Sequence, residues 1–189
     1  MPHNIHVIDG INKDVGLYGL QAAKEYYLSL ADGWEDPYGV PEVMVHDGVR
    51  VVRDDLITGT KCRAGDLLIS KCNSETIVYS QPRVGLAGVS ILDAANRHNK
   101  KVVLFMPAAK KISHHQACCI ERGAIAIFKR IAAMPNLNKA AKEWAEQNNG
   151  FFVPLGLRHE LATAGIVATA SKIPEPEEVY VAISTGVLS

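Results

Sequence analysis

The chain has 189 residues, of which 48% are hydrophobic and 21% charged, the composition of a globular protein with room for one large domain or two small ones. Its 20 basic and 20 acidic residues give a formal net charge of zero, so the overall field recruits neither nucleic acid nor an anionic membrane. The sequence has no run of about 18 apolar residues and no secretory signal pattern, so we expect a cytoplasmic protein without a membrane span.

Helical periodicity and turn-forming residues organise the first part of the chain. Apolar residues recur at three- and four-residue spacing over residues 16–31 and predict a helix, which a loop rich in Gly, Asp and Pro follows as far as Pro41. Two further segments, Glu42–His46 and Val49–Arg53, flank the pair Asp47-Gly48. That pair is a strong turn signal, so the sequence predicts a β-hairpin here.

Lys61 is the first candidate for chemistry. It lies on the short turn Gly59–Arg63, directly after the apolar, β-branched stretch Val51–Ile57. A lysine held at the end of a strand and near a helix start can lose its proton through partial burial and attack a carbonyl carbon. The alternative interpretation is a solvated lysine on a surface turn.

Strand-like and helix-like segments alternate through the rest of the chain. The predicted strands are Thr76–Tyr79, Val102–Met106, Ala124–Phe128, Phe151–Val153 and Val179–Ile183, and the predicted helices are Gly85–Arg97, Ser113–Arg122, Leu137–Gln147 and Leu161–Ala170. This alternation predicts an α/β protein with a mostly parallel sheet. We expect a helical arm over residues 1–41 and an α/β region over residues 42–189, in one piece or as two interleaved small lobes.

Polar residues follow the strand that ends near Tyr79. Ser80 and Gln81 come directly after it and lead into the next predicted helix. In an open α/β sheet, ligands bind at the carboxyl ends of the strands, and free N–H groups at a helix start attract anions. Ser80 and Gln81 are therefore candidates for binding an anion or a polar ring substituent, although Ser80 could instead only cap the helix.

The last predicted strand is followed by a small turn of hydroxyl residues and glycine. Ser184, Thr185 and Gly186 form this turn. Hydroxyl groups and exposed backbone amides together can form a nest for phosphate. These three residues are the second candidate binding segment.

The chain has four cysteines, and two of them, Cys118 and Cys119, lie close to the histidine pair His114-His115. His114, His115, Cys118 and Cys119 would pair His with Cys on shared helix faces, which supplies only half of a zinc site. No second cluster completes it, so we predict no metal, treat the cysteines as reduced and buried, and leave the role of this group open.

A family resemblance connects these segments. Val-Val-Arg-Asp-Asp-Leu-Ile-Thr-Gly-Thr-Lys-Cys-Arg (residues 51–63) resembles the segment that carries the cofactor lysine in fold type II pyridoxal-phosphate enzymes, which are tryptophan synthase β-like. It is most similar to the branch of aminocyclopropanecarboxylate deaminase and D-cysteine desulfhydrase. Tyr-Ser-Gln-Pro-Arg-Val-Gly (79–85) resembles the family's loop beside the cofactor ring, and Lys-Lys-Val-Val-Leu-Phe-Met-Pro (100–107) and Glu-Arg-Gly-Ala (121–124) resemble later strand segments. Ala-Ile-Ser-Thr-Gly-Val-Leu-Ser (182–189) looks like the loop that grips the cofactor phosphate.

The resemblance implies both a fold and a set of site residues. The implied fold is an open three-layer α/β sandwich, incomplete at its C-terminal end because full-length members continue past the phosphate loop. Lys61 would carry pyridoxal 5'-phosphate as an imine and move protons at the substrate α-carbon. Ser80 and Gln81 would lie beside the ring and Arg83 near the substrate carboxylate or the cofactor. The cofactor phosphate would be bound by Ser184, Thr185 and Gly186.

The implied activity is that of a pyridoxal-phosphate-dependent lyase or deaminase that acts, as a homodimer, on a small amino acid or amino-acid-like group. Arg53, Asp54 and Asp55 are assigned to structure. Gln81 replaces the usual asparagine, Pro82 removes a backbone donor, and the phosphate turn is poorer in glycine than is usual in the family. These departures leave a second hypothesis open, a non-catalytic phosphate-ligand-binding module on the same scaffold. A third is a phosphoribosyl-type transferase, although the chain lacks the acidic pair which that enzyme needs.

Overall fold

The computed structural model describes residues 19–130 and 133–180. The chain divides into two compact units. The first unit combines Met1–Leu68 with Arg158–Ser189, and the second unit is Ile69–Leu157.

Six helices and six strands lie in the described residues. The helices are α1 (Leu20–Leu30), α2 (Lys61–Ser70), α3 (Ala87–Arg97), α4 (His114–Glu121), α5 (Met134–Gln147) and α6 (Glu160–Ala170). The strands are β1 (Val43–His46), β2 (Val49–Val52), β3 (Thr76–Ser80), β4 (Lys101–Pro107), β5 (Ile125–Lys129) and β6 (Phe151–Phe152). Short 3-10 turns lie at Asp54–Leu56 and Leu155–Leu157. In the described ranges no helix is both long enough and apolar enough to cross a bilayer.

The second unit contains a four-stranded sheet in the order β5-β4-β3-β6, and all its pairs are parallel. The register places Val78 beside Val103 and Ser80 beside Phe105. Most residues of β3 and β4 are buried, as a sheet covered on both faces requires. The apolar runs in the sequence therefore come from strands at the centre of the sheet.

The order of the strands creates a reversal point in this sheet. The crossovers through α3 and α4 step from β3 outward to β5, whereas the crossover through α5 returns past β3 to β6. Because such crossovers are right-handed, α5 covers the face opposite to α3 and α4. On that face Val78, Val103 and Phe105 pack against α5. The carboxyl ends of β3 and β6 therefore flank the position where open α/β sheets bind ligands.

The first unit contains α1, α2, α6 and a separate two-stranded sheet of β1 and β2. Tyr27 and Ala31 pack with Leu67 of α2 and Ala164 of α6. The hydroxyl of Tyr26 donates to Glu160 at 2.9 Å. Helices from both chain segments thus share one core.

The predicted fold class and most predicted elements are confirmed. The hairpin pairs Val43 with Val52 around Asp47 and Gly48, and Ser113 caps α4 through a capping box with Gln116. The predicted first helix corresponds to α1, with residues 16–18 outside the described ranges.

One expectation is wrong, and another is tested only in part. Lys61 does not lie on a turn after a strand, because β2 ends at Val52, a 3-10 turn follows, and Lys61 begins helix α2. Val179 and Tyr180 are in no strand, and residues 181–183 of that predicted strand lie outside the described residues.

Candidate active site

Lys61 is the first residue of α2, and its side chain is half-buried. Gly59 lies two residues before the helix and has a φ of +90°, a left-handed conformation that suits glycine. The amides of Cys62 and Arg63 donate to the carbonyls of Gly59 and Thr60 at 3.0 Å and 3.2 Å. Lys61 is thus held in the first helical turn, where N–H groups that lack helical partners lie.

A buried ionic cluster surrounds the same helical turn. The Arg63 side chain is 3% exposed and donates to Asp36 at 2.6 Å, to the carbonyl of Gly39 at 2.7 Å and to Asp54 at 3.0 Å. Burial alone would lower the pKa of Arg63, but the hydrogen bonds to Asp36 and Asp54 raise it above its usual value. Thr169 of α6 completes the cluster through a hydrogen bond of 2.8 Å from its hydroxyl to Asp36. The guanidinium therefore stays charged.

Arg53, Asp54 and Asp55 form hydrogen bonds of the kind expected for their predicted structural role. Arg53 forms a two-pronged ion pair with Asp55, at 2.7 Å and 2.8 Å. This pair holds the pKa of the Asp55 carboxyl below its usual range. Asp54 instead accepts from Arg63.

Ser80 is the last residue of β3 and is completely buried. Because side chains alternate along a strand, Ser80 shares the sheet face of Val78, opposite to that of Tyr79. Its hydroxyl oxygen has no hydrogen-bond partner within the described residues. A buried hydroxyl left unpaired costs about 1–3 kcal/mol, so this atom is suited to a polar ligand.

Gln81 is also buried, but its amide is used within the protein. Its oxygen accepts from the amide of Gly88 at 2.9 Å, and its nitrogen donates to the carbonyls of Pro82 and Gly85 at 3.0 Å and 2.9 Å. A Cβ atom at Gly88 would lie 2.3 Å from the Gln81 oxygen. Gln81 thus clamps the loop after β3 onto the start of α3, and Gly88 provides the space.

Arg83 is exposed in this loop and links it to the next one. Its guanidinium donates to the carbonyl of Lys111 at 3.3 Å, and its own carbonyl accepts from the hydroxyl of Ser113. The loops that follow β3 and β4 are therefore joined.

Two buried side chains near this loop, Tyr79 and Cys119, have raised pKa values. Burial raises the pKa of Tyr79 to about 12, and a hydrogen bond with the backbone of Gly156 partly opposes this shift. Burial likewise raises the pKa of the Cys119 thiol to about 11. Cys118 lies 3.5 Å from a ring nitrogen of His114. Within the described ranges no cluster of three or more His, Cys, Asp or Glu residues could hold a metal ion.

The structure groups some of the predicted site residues. Ser80, Gln81 and Arg83 lie together on the second unit, and Lys61 belongs to the first unit. The predicted phosphate residues Ser184, Thr185 and Gly186 lie outside the described residues. Sequence reasoning missed Asp36, Thr169 and Gly88, since their partners are brought to them by the fold. Arg63 is the one residue of this buried cluster that the sequence could have indicated, because it lies two residues after the candidate Lys61.

No protein-family model and no curated protein matches the chain. Solved structures do match. An ACC deaminase homologue is 17% identical with a TM-score of 0.66, covering 81% of this chain and 54% of that one. The processed form of threonine deaminase isoform 2 from Solanum lycopersicum is 13% identical with a TM-score of 0.67, covering 82% and 46%. Diaminopropionate ammonia lyase from Escherichia coli, in complex with an aminoacrylate-PLP azomethine intermediate, is 14% identical with a TM-score of 0.54, covering 80% and 47%.

At these identities the likeness concerns the fold. The chain spans about half the length of each of these structures. Over that half, its parallel sheet and flanking helices follow the fold of these two deaminase structures and the ammonia lyase.

Proposed function

We propose that the chain binds pyridoxal 5'-phosphate and acts as a lyase or deaminase on a small amino acid or amino-acid-like substrate. The observation that carries the proposal is the fold, which resembles deaminases and an ammonia lyase crystallised with a PLP-bound intermediate. The half-buried lysine at the start of α2 supplies the amine which that chemistry needs.

The donors in the chain fit such a cofactor. The Ser80 hydroxyl is buried and unpaired among the described residues, at the ligand-binding edge of the sheet. A hydrogen bond from Ser80 to a polar substituent of the ring would satisfy it. The amide of Gln81 is committed to its loop, so we assign Gln81 to positioning this edge. Ser184, Thr185 and Gly186 remain the predicted phosphate ligands.

Each residue has a distinct role in the proposed reaction. When bound, the cofactor supplies a ring that takes up negative charge developing at the substrate α-carbon. Lys61 would hold the cofactor by condensing with its aldehyde carbon, with loss of water, and once displaced by the substrate amine it would move a proton at the substrate α-carbon. The exposed Arg83 guanidinium binds the substrate carboxylate, for which its planar donors are suited.

Covalent labelling tests the proposal. The full chain is incubated with pyridoxal phosphate, reduced with borohydride and digested, and the labelled lysines are identified by mass spectrometry. We expect Lys61 to be labelled at far lower cofactor concentration than Lys139, whose exposed side chain serves as an internal reference. Lys61→Arg should remove that label and leave the reference unchanged. Equal labelling of the two lysines would contradict the proposal.

Turnover is measured separately as ammonia released from a panel of small amino acids. Selective labelling of Lys61 with release that Lys61→Arg abolishes supports the enzyme. Selective labelling without release from any amino acid would favour the non-catalytic module. The homodimer and the cytoplasmic location stay predictions, and light scattering of the purified chain checks the first of them.

A further inference from the structure

Three segments of the first unit converge on the first turn of α2. Arg63 lies in this turn, Asp36 and the Gly39 carbonyl in the loop after α1, Asp54 in the 3-10 turn, and Thr169 in α6. We call these five groups the arginine cluster. Its side chains are almost entirely withdrawn from solvent.

Asp36 and Arg63 make most of the hydrogen bonds in the cluster. One Asp36 oxygen accepts from Arg63 at 2.6 Å and from Thr169 at 2.8 Å, and the other accepts from the amide of Tyr38 at 3.0 Å. The Arg63 guanidinium also lies over the ring of Tyr38, 5.6 Å from its centroid. The same loop is tied to α2 once more, since Trp34 donates to Asp66 at 2.9 Å.

The backbone of this turn is held from another side by α6. A Cβ atom added at Gly165 would lie 3.3 Å from the carbonyl oxygen of Arg63 and 3.4 Å from the Cα of Ala64. These distances mean that α6 lies close to the α2 backbone, so that a side chain at Gly165 would crowd it. Side-chain bonds and backbone contact therefore fix the same few residues.

Stability alone does not account for this arrangement. A buried ionic cluster is often no more stabilising than apolar side chains of similar volume, because its charges lose their hydration. The cluster instead fixes a geometry, because the planar guanidinium of arginine sets both the direction and the distance of its hydrogen-bond partners. Lys61 lies two positions before Arg63 in the same turn, so its backbone belongs to the segment that these contacts hold.

We infer that the arginine cluster is a positioning device for Lys61, in which Arg63, Asp36 and Thr169 hold the α2 start in the geometry that covalent cofactor binding requires. This inference rests on the proposed function. None of the cluster residues is assigned contact with cofactor or substrate. Their effect passes through the backbone of residues 61–63.

The test compares cofactor labelling of Lys61 in matched variants of the full chain. Arg63→Lys keeps the charge and loses the fork, Asp36→Asn keeps the shape and loses the charge, and Thr169→Val removes one hydrogen bond at nearly constant volume. The control is Arg122→Lys, which alters an Arg–Asp pair of 2.6 Å on the surface of the second unit. The readout is the pyridoxal phosphate concentration at which half of Lys61 is labelled, with Lys139 as the internal reference.

We expect Arg63→Lys and Asp36→Asn to raise this concentration about tenfold or more, since small misplacements of a reacting group have large effects. Thr169→Val should raise it about threefold, in keeping with the loss of a single hydrogen bond. Arg122→Lys and the labelling of Lys139 should not change. Near-ultraviolet circular dichroism establishes which variants are folded, and Thr169→Val carries the test if the ionic variants unfold.

The outcomes separate the two proposals. Wild-type labelling of Lys61 together with folded cluster variants that label at the same concentration overturns the positioning role and leaves the proposed function intact. A wild-type chain that labels Lys61 no better than Lys139 overturns the proposed function, and the positioning role with it.

Discussion

Ser80 and Gln81 are neighbours in the sequence but use their polar atoms differently. The Gln81 amide makes three hydrogen bonds within its own loop, whereas the Ser80 hydroxyl makes none with the described residues. One residue therefore shapes the edge of the sheet, and the other offers an unsatisfied group there. The sequence alone placed both at the end of a strand but could not assign these separate roles.

Gly88 gives a direct test of the loop clamp. We expect Gly88→Ala to destabilise the protein by about 1–3 kcal/mol, because the new methyl group displaces the Gln81 oxygen from the Gly88 amide. In a Gln81→Ala background the same change should cost less than half as much, since the obstructing side chain is gone. Denaturant unfolding of the four chains measures both costs. If Gly88→Ala costs the same in both backgrounds, the loss of stability comes from a clash with Cys119 instead, since its sulfur would lie 3.2 Å from the new methyl carbon.

His159 gives the first unit a pH-dependent cap. Its Nδ1 accepts from the amide of Leu161 at 3.2 Å, which requires a neutral ring, and burial lowers its pKa although Glu160 opposes the shift. The folded state therefore binds this proton less readily than the unfolded chain does. The stabilisation is present above the unfolded pKa of about 6.5 and is lost as the pH falls through it towards the lower folded value.

The His159→Asn variant separates this effect from other titrations. Asparagine is a good cap and does not titrate, so the fall in thermal midpoint between about pH 7 and pH 5 should be smaller in the variant. His46→Gln is the matched control, because His46 is 83% exposed. Parallel midpoint curves for wild type and His159→Asn would refute the assignment.

Helix α2 shows why one element escaped sequence analysis. Arg63 and Asp66 are buried in it beside Leu67 and Leu68, so charged residues interrupt the apolar face that would mark a helix. Their partners, Asp36 and Trp34, lie about 30 residues earlier in the chain, at separations of 27 and 32. A helix whose polar residues are buried by distant partners has no local signature. By contrast, the central strands were predictable because burial on both faces leaves a continuous apolar run.

The β1–β2 hairpin is unusual in exposing apolar residues on both faces. Pairing sets Val45 opposite Arg50 and Val49 opposite His46, on opposite faces, and these valines are 69% and 57% exposed. Two-stranded sheets with apolar surfaces and open edges favour association. We therefore predict that the hairpin promotes association of the chain.

Charged substitutions on the hairpin test this tendency. Val45→Lys and Val49→Lys should each reduce concentration-dependent light scattering, with the unfolding free energy changed by no more than about 0.5 kcal/mol. Val40→Lys adds the same charge at a residue that is 61% exposed and lies outside both strands. An equal reduction in scattering from Val40→Lys would mean that net charge alone is responsible.

At the scale of the whole molecule, local patterns predicted the sheet unit better than the helical core. The second unit is continuous in sequence, and its elements follow one another as strand and helix. The first unit unites two segments that the second unit separates. Long-range pairing of this kind depends on surfaces that complement each other after folding, so no single window of the sequence encodes it.

This split arrangement also sets the order in which a growing chain can assemble. Tyr26 and Glu160 are 134 residues apart, and Asp36 and Thr169 are 133 apart. During translation the parallel sheet is fully synthesised before α6 leaves the ribosome. Until then, the apolar surfaces of α1 and α2 that α6 buries stay exposed. Lys61 is thus synthesised early, but the ribosome must complete α6 before α6 can pack against the helix that contains Lys61.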